Sequence, residues 1–376
     1  MAQIKPGFKV GLLGGGQLAR MLALKAHQLG FEVHALSPSA QDPVAQVVSH
    51  HHLGDLSQRR HLEIFLAQVD VATFESEFLD ASLLASVSSS TVQAAPIWPR
   101  PELMGRLQDR LPQKELMQEH NLPTLPFAAV QNMSQAEGFL NQHPKGVVLK
   151  QRRFGYDGYG TFNCRNKKEL EARFAQWDDK VPALIAEPRC AFKRELAISL
   201  CRNRHGQIIV FPLVESKQVN SRCLWVKGPV RHGRLKTLTQ KLTRFLKKTD
   251  YVGVMTFELF DTGRELLINE IAPRVHNSAH YSLDALNLDQ FSAHLLAIGD
   301  HDLKEPRAHN KGFAMMNLLG KSNVSPEWPT LSDVHLHWYG KNENRPGRKM
   351  GHLNAVAATP ELALKMVQTA ERKFTL

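Results

Sequence analysis

The stretch VGVMTFELFDTGRELLINEIAPRVHNS, which begins at Val252, constrains this chain more than any other. Two apolar runs, Val252 to Phe260 and Leu266 to Ile271, flank the turn Asp261-Thr262-Gly263-Arg264 and predict an antiparallel hairpin. Glu258 and Glu270 stand nearly symmetrically about that turn, twelve residues apart. An even separation lets a hairpin present both carboxylates on one face. Val254, Phe257, Leu259, Leu267, Ile268 and Ile271 around them are apolar, so the pair is expected on a buried sheet. Two like charges held there repel unless a cation lies between them. Mg²⁺ suits the arrangement, because it is usually held by one or two carboxylates with substrate phosphates filling other positions.

Two polar clusters accompany the hairpin. Arg274, His276, Asn277 and Ser278 fall within five residues, and arginine forks onto carboxylate or phosphate oxygens. Further on, Lys341, Arg345, Arg348, Lys349 and His352 surround Pro346-Gly347. That dipeptide makes a turn, and a rigid basic turn suits a phosphate.

The first hundred residues alternate strand and helix, which predicts a parallel sheet with helices on its faces. Strands are expected at Phe8 to Leu13, Phe31 to Leu36 and Val69 to Phe74, with helices after Gly16 and over Ser57 to Gln68. Gly14-x-Gly16-x-x-Ala19 joins the first strand to the first helix, where backbone N–H groups can receive an anion. Leu36 and Ser37 end the second strand where a dinucleotide site needs an acidic residue, which argues against a dehydrogenase. Three prolines between Pro96 and Pro101 end this region. Glu102 to His120 then reads as helical, restarting near Asp109. Short strands follow from Val147, with one amphipathic helix on Leu235, Leu238, Leu242, Phe245 and Leu246. From Gly312 the chain reads as a smaller α+β piece closed by a helix at Thr359-Pro360-Glu361.

Composition narrows the function. The 376 residues are 43% hydrophobic and carry a formal charge of +11, which favours anionic partners. The basic residues are dispersed and nucleic-acid motifs are absent, so small phosphorylated ligands rank ahead of nucleic acid. No apolar run is long enough to cross a membrane. The four cysteines form no C-x-x-C pair, and a cytoplasmic protein is expected. Val147-Val148-Leu149-Lys150 ends a strand in lysine before Gly155-Tyr156-Asp157-Gly158-Tyr159-Gly160. The spacing is not that of a P-loop. A strand lysine, a glycine flap and two metal-binding glutamates make a nucleoside triphosphate site of another kind.

This order of features resembles the ATP-grasp superfamily. Within it, the chain is similar to the family of 5-(carboxyamino)imidazole ribonucleotide synthases. The stretches GLLGGGQLARML, TFESE, QDRLPQKELMQEHNLPT, VLKQRRFGYDGYG, FELF, LLINEIAPRVHNSAH and LHWYGKNENRPGRKMGHLN carry the resemblance, over residues 11 to about 354. It implies an α/β ATP-grasp fold: an N-terminal Rossmann-like parallel-sheet domain (1–100), a central α+β lid (101–185) and a C-terminal α+β domain (186–376).

The implied reaction is ATP-dependent carboxylation of 5-aminoimidazole ribonucleotide with bicarbonate, through carboxyphosphate, in a cytoplasmic homodimer. The implied cofactors are ATP and Mg²⁺, the metal on Glu258 and Glu270. ATP would meet Arg110, Lys150, the flap Gly155, Tyr156, Asp157, Gly158, Tyr159, Gly160 and Thr161, then Glu187, Pro188, Arg189, Cys190, Glu195, Glu215, Asn269 and Glu270. The ribonucleotide would meet Gln17, Leu18, Glu75 and Ser278, with Lys341, Arg348 and Lys349 on its phosphate. Arg274, His276, Asn277, Tyr156 and Asp157 would surround the reacting centre.

The chain departs from the family pattern at Tyr159, where a lysine or arginine is usual, and at Thr161, which replaces glutamine. Ser216, Lys217 and Gln218 stand where a histidine is usual, and Ala19 replaces a glycine. Lys217, Arg152 or Arg153 are candidates to supply the charge absent at Tyr159. A formate-using glycinamide ribonucleotide transformylase is the alternative enzyme, and a nucleotide- or RNA-binding protein without catalysis is the non-enzymatic one.

Overall fold

In the computed structural model, which describes residues 5–89, 94–153, 160–177, 181–219, 222–322 and 325–376, the alternating N-terminal pattern forms a parallel sheet. Strands β1 (Lys9–Leu13), β2 (Glu32–Ser37), β3 (His50–Leu53) and β4 (Val71–Phe74) lie in the order β3-β2-β1-β4, and every pairing is parallel. α1 (Gln17–Gln28) buries Leu18, Met21 and Leu22 with Val10 and Val33. α2 (Arg59–Leu66) and α3 (Ala81–Ser88) pack with Leu13, Leu36 and Phe74 in a second cluster. Strand β3 was not expected. His50-His51-His52-Leu53 has no apolar alternation to announce it, and its ladder with β2 defines it.

Beyond the proline-rich break, α4 (Pro101–Leu107) and α5 (Arg110–Glu119) meet at Asp109. Its carboxylate caps α5 by accepting from the Leu111 N–H at 3.1 Å, and Pro112 falls in the first turn, where it costs no hydrogen bond. A second, antiparallel sheet contains β5 (Ala128–Val130), β6 (Val147–Gln151), β7 (Thr161–Cys164) and β8 (Leu184–Pro188), ordered β5-β8-β6-β7. Helices α6 (Met133–Gln142) and α7 (Lys167–Ala175) close its core with Phe139, Leu140, Leu170 and Phe174.

The third sheet has nine strands among the described residues. They are β9 (Arg194–Arg202), β10 (Ile208–Val210), β11 (Val214–Val219), β12 (Arg222–Gly228), β13 (Gly253–Asp261), β14 (Leu266–Ala272), β15 (Gly312–Leu319), β16 (His335–Trp338) and β17 (Lys349–Ala357). Their order is β14-β13-β9-β11-β12-β15-β17-β16, with β10 against β9. The region from Gly312 is therefore not a separate sheet, because β15 pairs along β12 and extends the existing one. Helix α8 (Leu235–Lys248) buries Leu238, Leu242, Phe245 and Leu246 and turns its lysines and arginines to solvent. α9 (Ser282–Ala285), α10 (Gln290–Ile298) and α11 (Pro360–Glu371) complete the region. Thr359 caps α11 as its sequence suggests, its side chain accepting from Leu362 N–H.

The parallel sheet docks on α10 through a buried contact. His294 Nδ1 accepts from the Val254 N–H at 3.1 Å, so Nε2 carries the ring proton and donates to Thr73 Oγ1 at 2.8 Å. Burial pushes this histidine down to about 4 and keeps it neutral.

Candidate active site

The hairpin forms as expected, and Glu258 and Glu270 are direct register partners on β13 and β14. A β-bulge follows: Leu259 pairs with Ile268, so Asn269 is the extra residue. The bulge explains how Ile268 and Ile271, an odd number apart, both enter the same apolar core. It also leaves adjacent residues Asn269 and Glu270 both reaching cations. Asn269 Oδ1 accepts from Lys150 Nζ at 2.9 Å, and Glu270 Oε2 accepts from Arg110 at 2.6 Å.

Helix α5 clamps the outer edge of β14. The Gln113 amide donates to the Ile271 carbonyl at 3.0 Å and accepts from the Ile271 N–H at 2.9 Å, imitating a neighbouring strand. Lys114, one position on, reaches Thr124 Oγ1 at 2.6 Å and Glu187 Oε1 at 2.7 Å. Arg110, Gln113 and Lys114 share one helix face by their i, i+3, i+4 spacing.

Glu187 lies between two lysines. Its other oxygen is 2.5 Å from Lys150 Nζ, and the residue is 1% exposed. Burial opposes its charge, but Lys150 and Lys114 overcome burial and hold its carboxyl down at about 2. Lys114 is lowered to about 8, chiefly by burial and despite Glu187. Glu258 goes the other way. Burial first, then Glu270 and Glu195, push it up to about 7, against the pull of Arg110 and Lys349.

Arg274 is forked onto Glu77 from the loop after β4. His276 Nδ1 accepts from the Ser278 N–H at 3.3 Å, which leaves the proton on Nε2, 3.6 Å from Glu258. Burial, Arg274 and Lys349 push this ring down to about 3, so it is neutral. Asn277 and Asn317 exchange reciprocal amide hydrogen bonds of 3.0 and 2.7 Å. The basic turn joins the site through Lys349 at the start of β17, whose charge acts on both Glu258 and His276. Lys341 donates to the Lys349 carbonyl at 2.7 Å, and Arg348 donates to the Glu343 carbonyl at 3.0 Å on the exposed rim.

The glycine loop before α1 does hold an anion, and the anion is the chain's own. Glu75 accepts from the N–H groups of Gly16 at 2.5 Å and Ala19 at 3.0 Å. A Cβ at Gly16 would stand 2.6 Å from the Glu75 carboxylate, which is why glycine is needed there. An external phosphate on these two N–H groups would have to displace Glu75. Gln17 and Leu18 open α1 beside this contact.

Other expected residues lie around these groups. Glu195 pairs with Ser216 on β11 and Phe260 on β13, with its carboxyl raised by burial. Glu215 pairs with Arg194 at 3.5 Å and Lys227 at 3.9 Å. Pro188, Arg189 and Cys190 continue from Glu187, with the Arg189 N–H bonded to Gly146. Thr161 pairs with Lys150 across β6 and β7, and Gly160 has φ +75°. Gly155, Tyr156, Asp157, Gly158 and Tyr159 lie outside the described residues. Arg152 forks onto Asp109 at 2.9 and 2.8 Å and Arg153 reaches the same carboxylate, so two arginines share one anion and the pair keeps a net positive charge.

A family model for the ATP-grasp domain matches residues 115–291. A ribonucleotide synthetase preATP-grasp domain matches 8–108, and a phosphoribosylaminoimidazole carboxylase C-terminal domain matches 314–366. An N5-carboxyaminoimidazole ribonucleotide synthase of Synechococcus elongatus is 38% identical over 359 residues, covering 93% of this chain and 90% of that one. The chain belongs to the N5-carboxyaminoimidazole ribonucleotide synthase family. The family's solved structures share its ATP-grasp fold. The ADP complex of the Staphylococcus aureus synthetase superposes with a TM-score of 0.89 at 28% identity, over 99% of both chains. The Aspergillus clavatus synthase, in complex with ADP and 5-aminoimidazole ribonucleotide, gives 0.86 at 27% identity, over 97% of this chain and 98% of that one. These comparisons do not favour the formate-using alternative. Among the described residues no helix is long and apolar enough to cross a membrane.

Sequence reasoning left Lys114, Glu77, Asp109, Gln113 and Asn317 without roles in the site. Lys114 and Gln113 had a signal, since they interrupt the apolar face that carries Leu116 and Met117. Glu77 and Asn317 had none, because their partners are remote in sequence.

Proposed function

We propose that this chain carboxylates the amine of 5-aminoimidazole ribonucleotide with bicarbonate and ATP, giving 5-(carboxyamino)imidazole ribonucleotide, ADP and phosphate. The observation that carries the reading is the Glu258–Glu270 pair faced by Arg110 and Lys349, in a chain of this family. In the first step a bicarbonate oxygen bonds to the γ-phosphorus and ADP leaves, forming carboxyphosphate. In the second the amine nitrogen bonds to the carboxyl carbon, directly or after release as carbon dioxide; phosphate departs and the amine gives up a proton.

Glu258 and Glu270 fit a magnesium ion: they are cross-strand partners, and Glu258 resists ionising without a neighbouring cation. When bound, the ion would screen the phosphate oxygens during transfer. Lys150 is held by Glu187 and Asn269, and these contacts aim its third N–H bond, which we assign to ATP. Arg110 approaches the same phosphates from α5. Arg274, steadied by Glu77, is assigned to the carboxyphosphate charge. Neutral His276 offers Nε2–H as a donor and is poorly suited to accept a proton there. Arg348, Lys349 and Lys341 are assigned to the ribonucleotide phosphate. Glu75, Gln17 and Leu18 are assigned to its other end, where Glu75 feels the charge of Arg274. The limit at residue 185 and the homodimer rest on the resemblance, while the limit at residue 100 rests also on the proline-rich break and the cytoplasmic setting on the cysteine pattern.

Phosphate release tests the reaction. It is expected only when ATP, bicarbonate and aminoimidazole ribonucleotide are all present. Release driven instead by formate and glycinamide ribonucleotide would sink the assignment.

A further inference from the structure

Strand β3 puts three consecutive histidines on the edge of the parallel sheet. His34 on β2 is the register partner of His50. Because side chains alternate along a strand, Glu32, His34, His50 and His52 share one face, while His51 turns to the other and meets Ser37 Oγ at 2.8 Å. Glu32 Oε1 lies 2.9 Å from His34 Nε2 and 3.1 Å from His50 Nε2. The three ligand atoms all fall within 4.8 Å of one another.

We propose that Glu32, His34 and His50 bind a divalent transition metal of the zinc class, separate from the nucleotide site. Zinc bonds of roughly 2.0–2.2 Å in tetrahedral geometry hold ligand atoms ~3.3 Å apart. The carboxylate oxygen therefore needs to withdraw only slightly from each ring. Two imidazoles and one carboxylate suit zinc, cobalt or nickel, whereas Mg²⁺ prefers an all-oxygen shell.

The outer shell is also in place. A metal on His34 Nε2 leaves that ring's N–H on Nδ1, and His52 Nε2 lies 3.1 Å from it as acceptor. His52 is in turn braced edge-on by Phe65. His34 is buried, Glu32 is half-buried and His50 is exposed, so an ion can enter from one side. Lys9, the cross-strand neighbour of Glu32, is the cation nearest in register that would oppose it.

The position indicates a structural role. β3 has four residues and, among the described residues, pairs with β2 alone, so a metal would cross-link a short edge strand to the sheet. Glu32 pairs with Lys9 at the start of β1, whereas Gly14 and Glu75 follow the ends of β1 and β4. The metal would thus sit at the opposite end of the sheet from the substrate loop.

Calorimetric titration of the full chain with Zn²⁺ in excess Mg²⁺ tests this, with visible absorption of bound Co²⁺ reporting ligand geometry. One equivalent should bind, with a four-coordinate Co²⁺ spectrum. Exposed His50→Ala should keep the fold and ATP-dependent phosphate release, and weaken Zn²⁺ at least tenfold. His52→Ala should weaken it by about tenfold to a hundredfold at unchanged stoichiometry, as loss of an outer-shell partner does. Binding unchanged in both His50→Ala and Glu32→Gln, or lost in Glu258→Gln instead, would overturn the site. So would the absence of stoichiometric Zn²⁺ binding to the parent chain.

Discussion

Glu187, buried, and Glu258, half-buried, are glutamates on strands that face one cleft, yet their surroundings drive them apart. Glu187 sits between Lys114 and Lys150 and is held down at about 2. Glu258 sits beside Glu270, with Glu195 also near, and is pushed up to about 7. Burial raises both; the neighbours decide the outcome. The first cluster is complete as folded and serves to position Lys150. The second is left with surplus negative charge, which suits it to receive a cation. On the proposed reading, a single cleft contains a carboxylate that positions Lys150 and one that receives a cation, distinguished by their neighbours.

Glutamine substitution should break this symmetry most clearly in stability. Glu187→Gln leaves two lysines buried side by side without their anion, so urea unfolding should show a loss of about 3–5 kcal/mol. Glu258→Gln removes repulsion and should leave stability unchanged or slightly higher. Equal losses in the two variants would contradict the contrast.

Activity should reverse the ranking of Glu258. Glu258→Gln and Glu270→Gln should lower phosphate release by on the order of a hundredfold to a thousandfold, the scale of losing one preorganised charged contact. Near-normal turnover in both, with magnesium dependence intact, would remove the metal assignment.

Acid titration sharpens the comparison. The folded Glu187 carboxyl lies below its ordinary value, so its contribution is present above about 4.5 and lost as pH falls towards about 2. A shift of that size corresponds to about 3 kcal/mol. Lys114 is also lowered, to about 8, and at neutral pH this shift costs stability where that of Glu187 adds it. The unfolded chain binds more protons between about 8 and 10.5, so stability should rise with pH through that window. Urea midpoints across pH should follow both trends in the parent, and the acid-side loss should shrink in Glu187→Gln.

Smaller effects lie further from the two carboxylates. Arg348→Ala should raise the ribonucleotide KM by about tenfold to a hundredfold and spare the ATP KM, as loss of a charge-assisted bond of roughly 1.5–3 kcal/mol would. Equal losses for both substrates would make the basic turn structural. Arg152→Ala breaks a partly exposed fork onto Asp109 and should cost at most about 1 kcal/mol of stability. A severe loss of kcat instead would mean that Arg152 takes over the charge absent at Tyr159.

The pairing of Glu258 with Glu270 was legible because it needs only local rules: period-two alternation on each side and a turn containing Gly263, whose φ is +84°. The adjacent polar residues Asn269 and Glu270, breaking that alternation, also foreshadow the bulge. The clamp of α5 was half legible. Gln113 and Lys114 visibly interrupt an apolar face, but their targets on β14 and β8 depend on how the helix docks. β3 was invisible, since three histidines carry no strand periodicity and the ladder with β2 alone defines it.

By itself the sequence determined the elements whose signal is local: the parallel βα alternation, the carboxylate hairpin, the capped restart at Asp109 and the basic Pro-Gly turn. Tertiary structure alone decided how charges are shared. Glu75 occupies the glycine loop from 59 residues away, and Glu77 reaches Arg274 across 197. Electrostatic partners are chosen by distance in space and by loss of water, and neither quantity is written in the order of residues along the chain.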